Sequence, residues 1–167
     1  MGAFVGNIDE SAMVDYMSVP LNAFKDAGVQ GEDILNAMNE VANKNAIEMD
    51  DLGMAYQRAS GSASSAGTSF GELTGMISGA QEATRLGGEK ISTALKAMDI
   101  NFAKIGTQLT AGDIDKYNFF AEIGVDIKDS NGELRSSYDI IGDLAGRWGE
   151  LNSEQKSTAT FYAAGKN

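Results

Sequence analysis

The sequence predicts a mainly α protein, a multi-helix assembly of about seven to eight helices with one small β-hairpin near residues 125–135. Three observations lead there. Apolar residues recur at spacings of three and four through most of the chain, as amphipathic helices require. Glycine occurs 20 times and proline once in 167 residues, which supplies many helix ends and close backbone approaches but few rigid turns. The single stretch of alternating apolar and polar residues, at Val125 and Ile127, lies just before an Asn-Gly pair.

From Asp9 to Ala27 the residues Met13, Met17, Leu21 and Phe24 mark one helical face. Pro20 lies inside that pattern and predicts a kink, or two short helices meeting near Ser18, before Gly28 ends the run. Ile34, Leu35, Met38, Val41 and Ala42 predict a second helix over Glu32 to Asn45. Asp50 and Asp51 read as the N-cap and first turn of a third, where carboxylates meet free amide groups at the positive helix end. That helix carries Leu52, Ala55, Tyr56 and Ala59. The run Ser60 to Gly67 then has two readings, a flexible linker or a helix of small residues packed tightly on a neighbour.

Ser69 and Glu72 have the spacing of a capping box, so a helix is expected to begin there and to reach Thr84, burying Leu73, Met76 and Ile77. Gly87-Gly88 is expected to break the chain before a helix from Glu89 to about Ile105, with Ile91, Leu95, Met98 and Phe102 on its apolar face. Thr107 to Gly112 reads as a polar connection, after which Asp113 caps a short helix through Tyr117 and Phe120. Asn131-Gly132 then predicts a two-residue type I′ turn, in which both positions take positive φ. A helix from Ser137 to Leu151 is expected to turn Ile140, Ile141, Leu144, Ala145 and Trp148 inward, with Trp148 as a core anchor. Ser153 caps the last helix, which carries Phe161 and Tyr162 and stops at Gly165. No internal repeat or sustained heptad pattern is present. The expected organisation is an N-terminal helical lead-in over residues 1–30, followed by one helical region over 31–167.

Composition narrows the chemistry. The net charge of −11 opposes phosphate backbones and anionic headgroups, so no nucleic acid binding is expected. No stretch approaches the ~20 apolar residues of a membrane span. The chain does not open on a basic region followed by an apolar run, which argues against a secretory signal. The absence of cysteine and histidine removes thiol nucleophiles, disulfides, the commonest general base and the commonest metal ligand. No catalytic residue, cofactor site or metal site is therefore expected. Asp129-Ser130-Asn131-Gly132 resembles part of a calcium loop, but the first ligand would fall on Ile127 and the bidentate acid on Tyr138, so a turn is favoured. Gly165-Lys166 lacks the earlier glycine of a phosphate loop, because Thr160 stands there. Glu32-Asp33, Asp50-Asp51 and the Asp113/Asp115 pair suit helix starts better than metal ligation. The methionines, at helical spacing, suit flexible core filling.

Gly31 to Arg58, Phe70 to Phe102 and Gly124 to Asn167, taken in order, resemble the core of tail tape-measure proteins from phages and prophages of Gram-positive bacteria. The first is Gly31 to Arg58, with Leu35-Asn36-Ala37-Met38-Asn39-Glu40-Val41-Ala42-Asn43-Lys44 and then Asp51-Leu52-Gly53. The second is Phe70 to Phe102, a helix before a Gly-rich break and then Ile91-Ser92-Thr93-Ala94-Leu95-Lys96. The third holds Gly124-Val125-Asp126-Ile127, Ser136-Ser137-Tyr138-Asp139-Ile140-Ile141, Trp148, Leu151 and Ala164-Gly165-Lys166-Asn167. The resemblance covers about residues 30 to 167. Two departures stand out: basic residues are sparse over Met98 to Lys104, where that family is arginine-rich, and Phe161-Tyr162 replaces aliphatic residues.

The resemblance implies a non-enzymatic virion protein, made in the host cytoplasm and lodged in the tail tube lumen. It would take part in tail assembly and length determination, and would leave the tube on DNA ejection. The implied partners are other tail proteins (tube, chaperone, baseplate or tip) and further copies of itself. Tape-measure chains are long, so 167 residues read as a segment of one. The positions expected to matter are structural: Ser69, Glu72, Gly124, Asp126, Asn131, Gly132 and Trp148. A reading from another class, an independent helical interaction module or a secreted helical effector without enzymatic activity, fits the acidic, cysteine-free composition equally well. Tube, chaperone and baseplate genes beside this one would distinguish the two.

Overall fold

Helix formation begins on a stripe of apolar residues that includes a proline. The computed structural model describes residues 10–45 and 47–165; Asp9, the expected first residue of the first helix, and Lys166-Asn167 lie outside them. Helix α1 (Glu10–Ala23) runs through Pro20 as one element and does not split near Ser18. The proline ring is buried, and that burial offsets the one amide hydrogen bond proline forfeits. A 3-10 turn (Lys25–Ala27) follows, closed by Gly28 at φ 78°, a left-handed conformation that glycine adopts without a Cβ clash.

The described residues form eight α-helices, and the chain divides into two compact units. The first unit is residues 1–65 and 69–96. In α2 (Gly31–Asn45) the buried Ile34, Met38 and Val41 follow helical spacing. Helix α3 (Met49–Ser65) begins one residue before Asp50, so Asp50 and Asp51 occupy its first turn and neither is the N-cap. It continues through the Ser/Ala/Gly run to Ser65, which decides between helix and linker. The serine hydroxyls donate to backbone carbonyls: Ser60 to Tyr56 at 2.6 Å, Ser65 to Gly61 at 2.9 Å, and Ser64 to Ala23 of α1 at 2.7 Å. Gly53 faces the Tyr16 ring so closely that a Cβ would overlap it.

Ser69 caps α4 (Phe70–Thr84), as expected: its Oγ accepts the Glu72 amide at 3.3 Å, and the Glu72 carboxylate accepts the Ser69 amide at 2.7 Å. Gly88 is the first residue of α5 (Gly88–Thr107), buried against the backbone of Asp51, so the Gly-Gly pair marks a close approach as well as a boundary. The core of this unit gathers Phe24, Tyr56 and Phe70, whose ring centroids lie 5.6 Å (Phe24–Phe70) and 5.5 Å (Tyr56–Phe70) apart. The Tyr56 hydroxyl donates to Thr74 Oγ1 at 3.0 Å, and burial pushes its pKa up to about 12.

The second unit is residues 66–68 and 97–167. It contains the rest of α5, α6 (Ala111–Glu122), α7 (Ser137–Arg147) and α8 (Ser153–Ala164). Thr110, three residues ahead of the expected Asp113, is the N-cap of α6, and Asn152 with Gln155, one residue ahead of Ser153, forms the capping box of α8. The core joins Phe102 to Phe120 at 5.9 Å between ring centroids and Phe119 to Tyr162 at 5.3 Å.

The expected hairpin is a correction. Among the described residues the pairing there is one isolated antiparallel bridge, Lys128 to Leu134, and no strand forms. Val125 and Ile127 are nevertheless buried, so the alternation correctly marks which side chains face inward. The turn also differs from type I′. Gly132 has φ 84° and its amide donates to the Asp129 carbonyl at 3.0 Å, whereas Asn131 is not in the positive-φ region. The central pair is therefore Ser130-Asn131, with aspartate first and glycine fourth, the pattern of a type I turn.

Candidate functional site

The seven positions singled out by sequence do not converge on one site. Ser69 and Glu72 fix the start of α4 in the first unit, while the other five lie in the second.

Gly124 ends α6 at φ 73°. The Val125 amide donates to the Phe120 carbonyl at 2.8 Å and the Gly124 amide to Ala121 at 3.0 Å, which is the Schellman arrangement. Phe120 and Val125, the two side chains that flank this motif, are both fully buried. A Cβ on Gly124 would sit 2.7 Å from the Arg147 guanidinium carbon, the end of a flexible exposed side chain that can move aside, so the positive φ is what requires glycine here. Asp126 contributes its carbonyl, which accepts Arg135 Nη1 at 2.8 Å. Arg135 also pairs with Asp143 of α7 at 2.7 Å and so ties the loop to that helix. Sequence reasoning missed Arg135, whose only signal was a cation eight residues before an acid on the next helix.

The Asp129 carboxylate accepts the amides of Asn131 at 2.8 Å and Glu133 at 2.9 Å. These bonds, with Glu133 foremost, hold its carboxyl below the usual carboxylate range. Both backbone amides converge on Oδ1, the work of an Asx turn, while Oδ2 accepts the Asn131 side-chain amide at 3.4 Å. Trp148 is a second correction. It is 38% exposed, on the last turn of α7, with Gly146, Arg147, Gly149 and Glu150 all exposed around it. Trp148 is the C-cap residue and keeps a helical backbone, but its ring lies outside the cluster that takes Ile140 and Leu144.

A concavity of the first unit was also missed by sequence. It is a groove of about 530 Å³ between α2 and α4, lined on one side by Asp33, Ala37, Glu40 and Val41 and on the other by Phe70, Gly71, Thr74 and Gly75. Among the described residues no three acidic side chains gather in a way that could hold a metal ion, and no helix is long and apolar enough to cross a membrane.

These are the features of a helical structural protein: caps, helix stops, a tied loop and an open groove. A family model for phage-related minor tail proteins matches residues 1–165. The chain belongs to that family. No solved structure matches it. This phage tail protein thus has a structural role in the tail.

Proposed function

We propose that this chain is a segment of a tail tape-measure protein, lodged in the tail tube lumen, with residues 31–167 as its core region and 1–30 as a helical lead-in. One observation carries the reading beyond the tail family: the stretches that resemble tape-measure cores coincide with distinct structural devices. Leu35 to Lys44 lies within α2 and Ile91 to Lys96 within α5. Gly124 to Ile127 supplies a helix stop and two buried anchors, and Ser136 to Ile141 supplies the N-cap and first turns of α7. The role in assembly and length determination belongs to the whole molecule, acting through other tail proteins and further copies of itself. The segment has no catalytic part in it, since it lacks the histidine and cysteine of the usual nucleophile-activating pairs. A charge of −11 lets DNA slide past without sticking.

Quantitative mass spectrometry of purified particles, before and after triggered DNA ejection, tests this. Peptides from this chain are expected in intact particles and depleted from emptied tails. Their absence from intact particles, or full retention after ejection, would contradict the proposal.

A further inference from the structure

The groove between α2 and α4 has two walls of regular helical spacing. Its α2 wall is one stripe of that helix, Asp33, Ala37, Glu40, Val41 and Lys44, spaced by three and four. Its α4 wall is a second stripe, Gly71, Thr74, Gly75 and Ser78. The helices run in the same direction: Asn45 Nδ2 donates to Ser78 Oγ at 3.1 Å and Lys44 pairs with Glu82 at 3.7 Å near their C-terminal ends. Asp33 and Phe70 line the groove near their N-terminal ends.

The α4 wall is chemically quiet. The Thr74 hydroxyl donates to the Phe70 carbonyl at 2.9 Å and accepts from Tyr56, and Ser78 accepts from Asn45, so these polar atoms are engaged within the unit. What remains is a wall of small side chains over a floor of Val41 and Phe70, which admits close approach by another helix. The α2 rim is different. Asp33 and Glu40 are exposed, and neither has a cation within ion-pair distance among the described residues. Asp33 accepts the Gln30 amide at 2.8 Å. Seven residues separate the two carboxylates, about 10 Å along the helix axis. Two cations at positions i and i+7 of a facing helix repeat at the same distance.

We infer that this groove docks an amphipathic helix of another protein, one bearing two Lys or Arg residues seven positions apart beside a stripe of small and aliphatic residues. A second copy of this chain is the wrong occupant of this groove, because none of its described helices carries two Lys or Arg residues seven positions apart. The inference goes beyond the tail assignment and does not depend on it, since the partner is defined by charge and spacing alone.

The test uses the 167-residue chain and a labelled 15-residue synthetic helical peptide, with two lysines seven apart and Leu and Ala on the stripe between them. Two control peptides are a scramble of the same composition and a version with glutamate in place of both lysines. Fluorescence anisotropy measures affinity, and amide chemical shifts locate the contact. Saturable binding is expected for the first peptide alone, with shifts concentrated on α2 and α4. Gly71→Leu should block it, because a Cβ at Gly71 meets nothing within 4 Å and the larger side chain fills the groove without disturbing the fold. Glu40→Lys should weaken it roughly tenfold, attraction giving way to repulsion. Circular dichroism verifies that both variants fold. Equal binding of peptide and scramble would overturn the inference, as would no saturable binding, or an unchanged affinity in both folded variants.

Discussion

Both units pack large apolar side chains at their centres, and the first adds a set of close contacts through small residues. In the first, α3 buries Gly53, Ala55, Ala59, Ser60 and Ala63, and the backbone of Asp51 meets Gly88 where no Cβ fits. In the second, the contacts are made by Phe102, Phe119, Phe120 and Tyr162, and the chain between helices is held by local hydrogen bonds from Asp129 and Arg135. Small-residue packing gains close van der Waals contact and is intolerant of added atoms; large-residue packing buries more apolar area and is intolerant of removed ones. Both units depend on a large-residue core, and the first is in addition sensitive to added atoms where its glycines meet backbone and rings.

The largest effect should come from removing volume in the second unit. Phe120→Ala, at a fully buried position, should cost about 3–5 kcal/mol, read as lost amide protection across that unit's core. A loss below about 1 kcal/mol would break the comparison. Adding a single methyl in the first unit comes next. Gly88→Ala should cost about 1–3 kcal/mol in thermal melting although alanine is the better helix former, while Gly79→Ala, exposed and with open space, should gain up to about 1 kcal/mol. A stabilised Gly88→Ala would show that the glycine is only a helix start.

The loop sharpens the contrast further. Gly132→Val forces a β-branched residue to φ 84° and should cost about 1–3 kcal/mol, whereas Asn131→Val should cost less than about 1 kcal/mol. Equal losses in melting temperature would restore the type I′ turn. The smallest effect belongs to Trp148→Ala, expected within about 0.5 kcal/mol because the ring contributes little to the core. Strong quenching of its fluorescence by iodide should accompany that result, and a shielded, blue-shifted emission would refute it.

Helices were legible where apolar periodicity was strong, and the Ser69/Glu72 box fixed one boundary correctly. Caps slipped where two capping residues compete: Asn152 precedes Ser153, and Thr110 precedes Asp113 and accepts its amide. The Asn-Gly pair pointed to a tight turn, but Asp129 draws the local amides to itself and moves the turn centre back by one residue. Trp148 follows Leu144 by four and keeps the helical backbone, but the core cluster does not reach as far as the end of α7, so periodicity alone overstates its burial. The groove left no trace in the hydrophobic pattern, because Gly71 and Gly75 have no side chain with which to signal a face.

The central claim is that this segment belongs to the molecule that sets tail length. In a phage carrying the parent gene, an in-frame deletion and an in-frame duplication within residues 31–165 should both alter the tail measured by electron microscopy. The account predicts shorter tails or blocked assembly from the deletion and longer tails from the duplication. Infectious particles with tails of parental length from both alleles would contradict it.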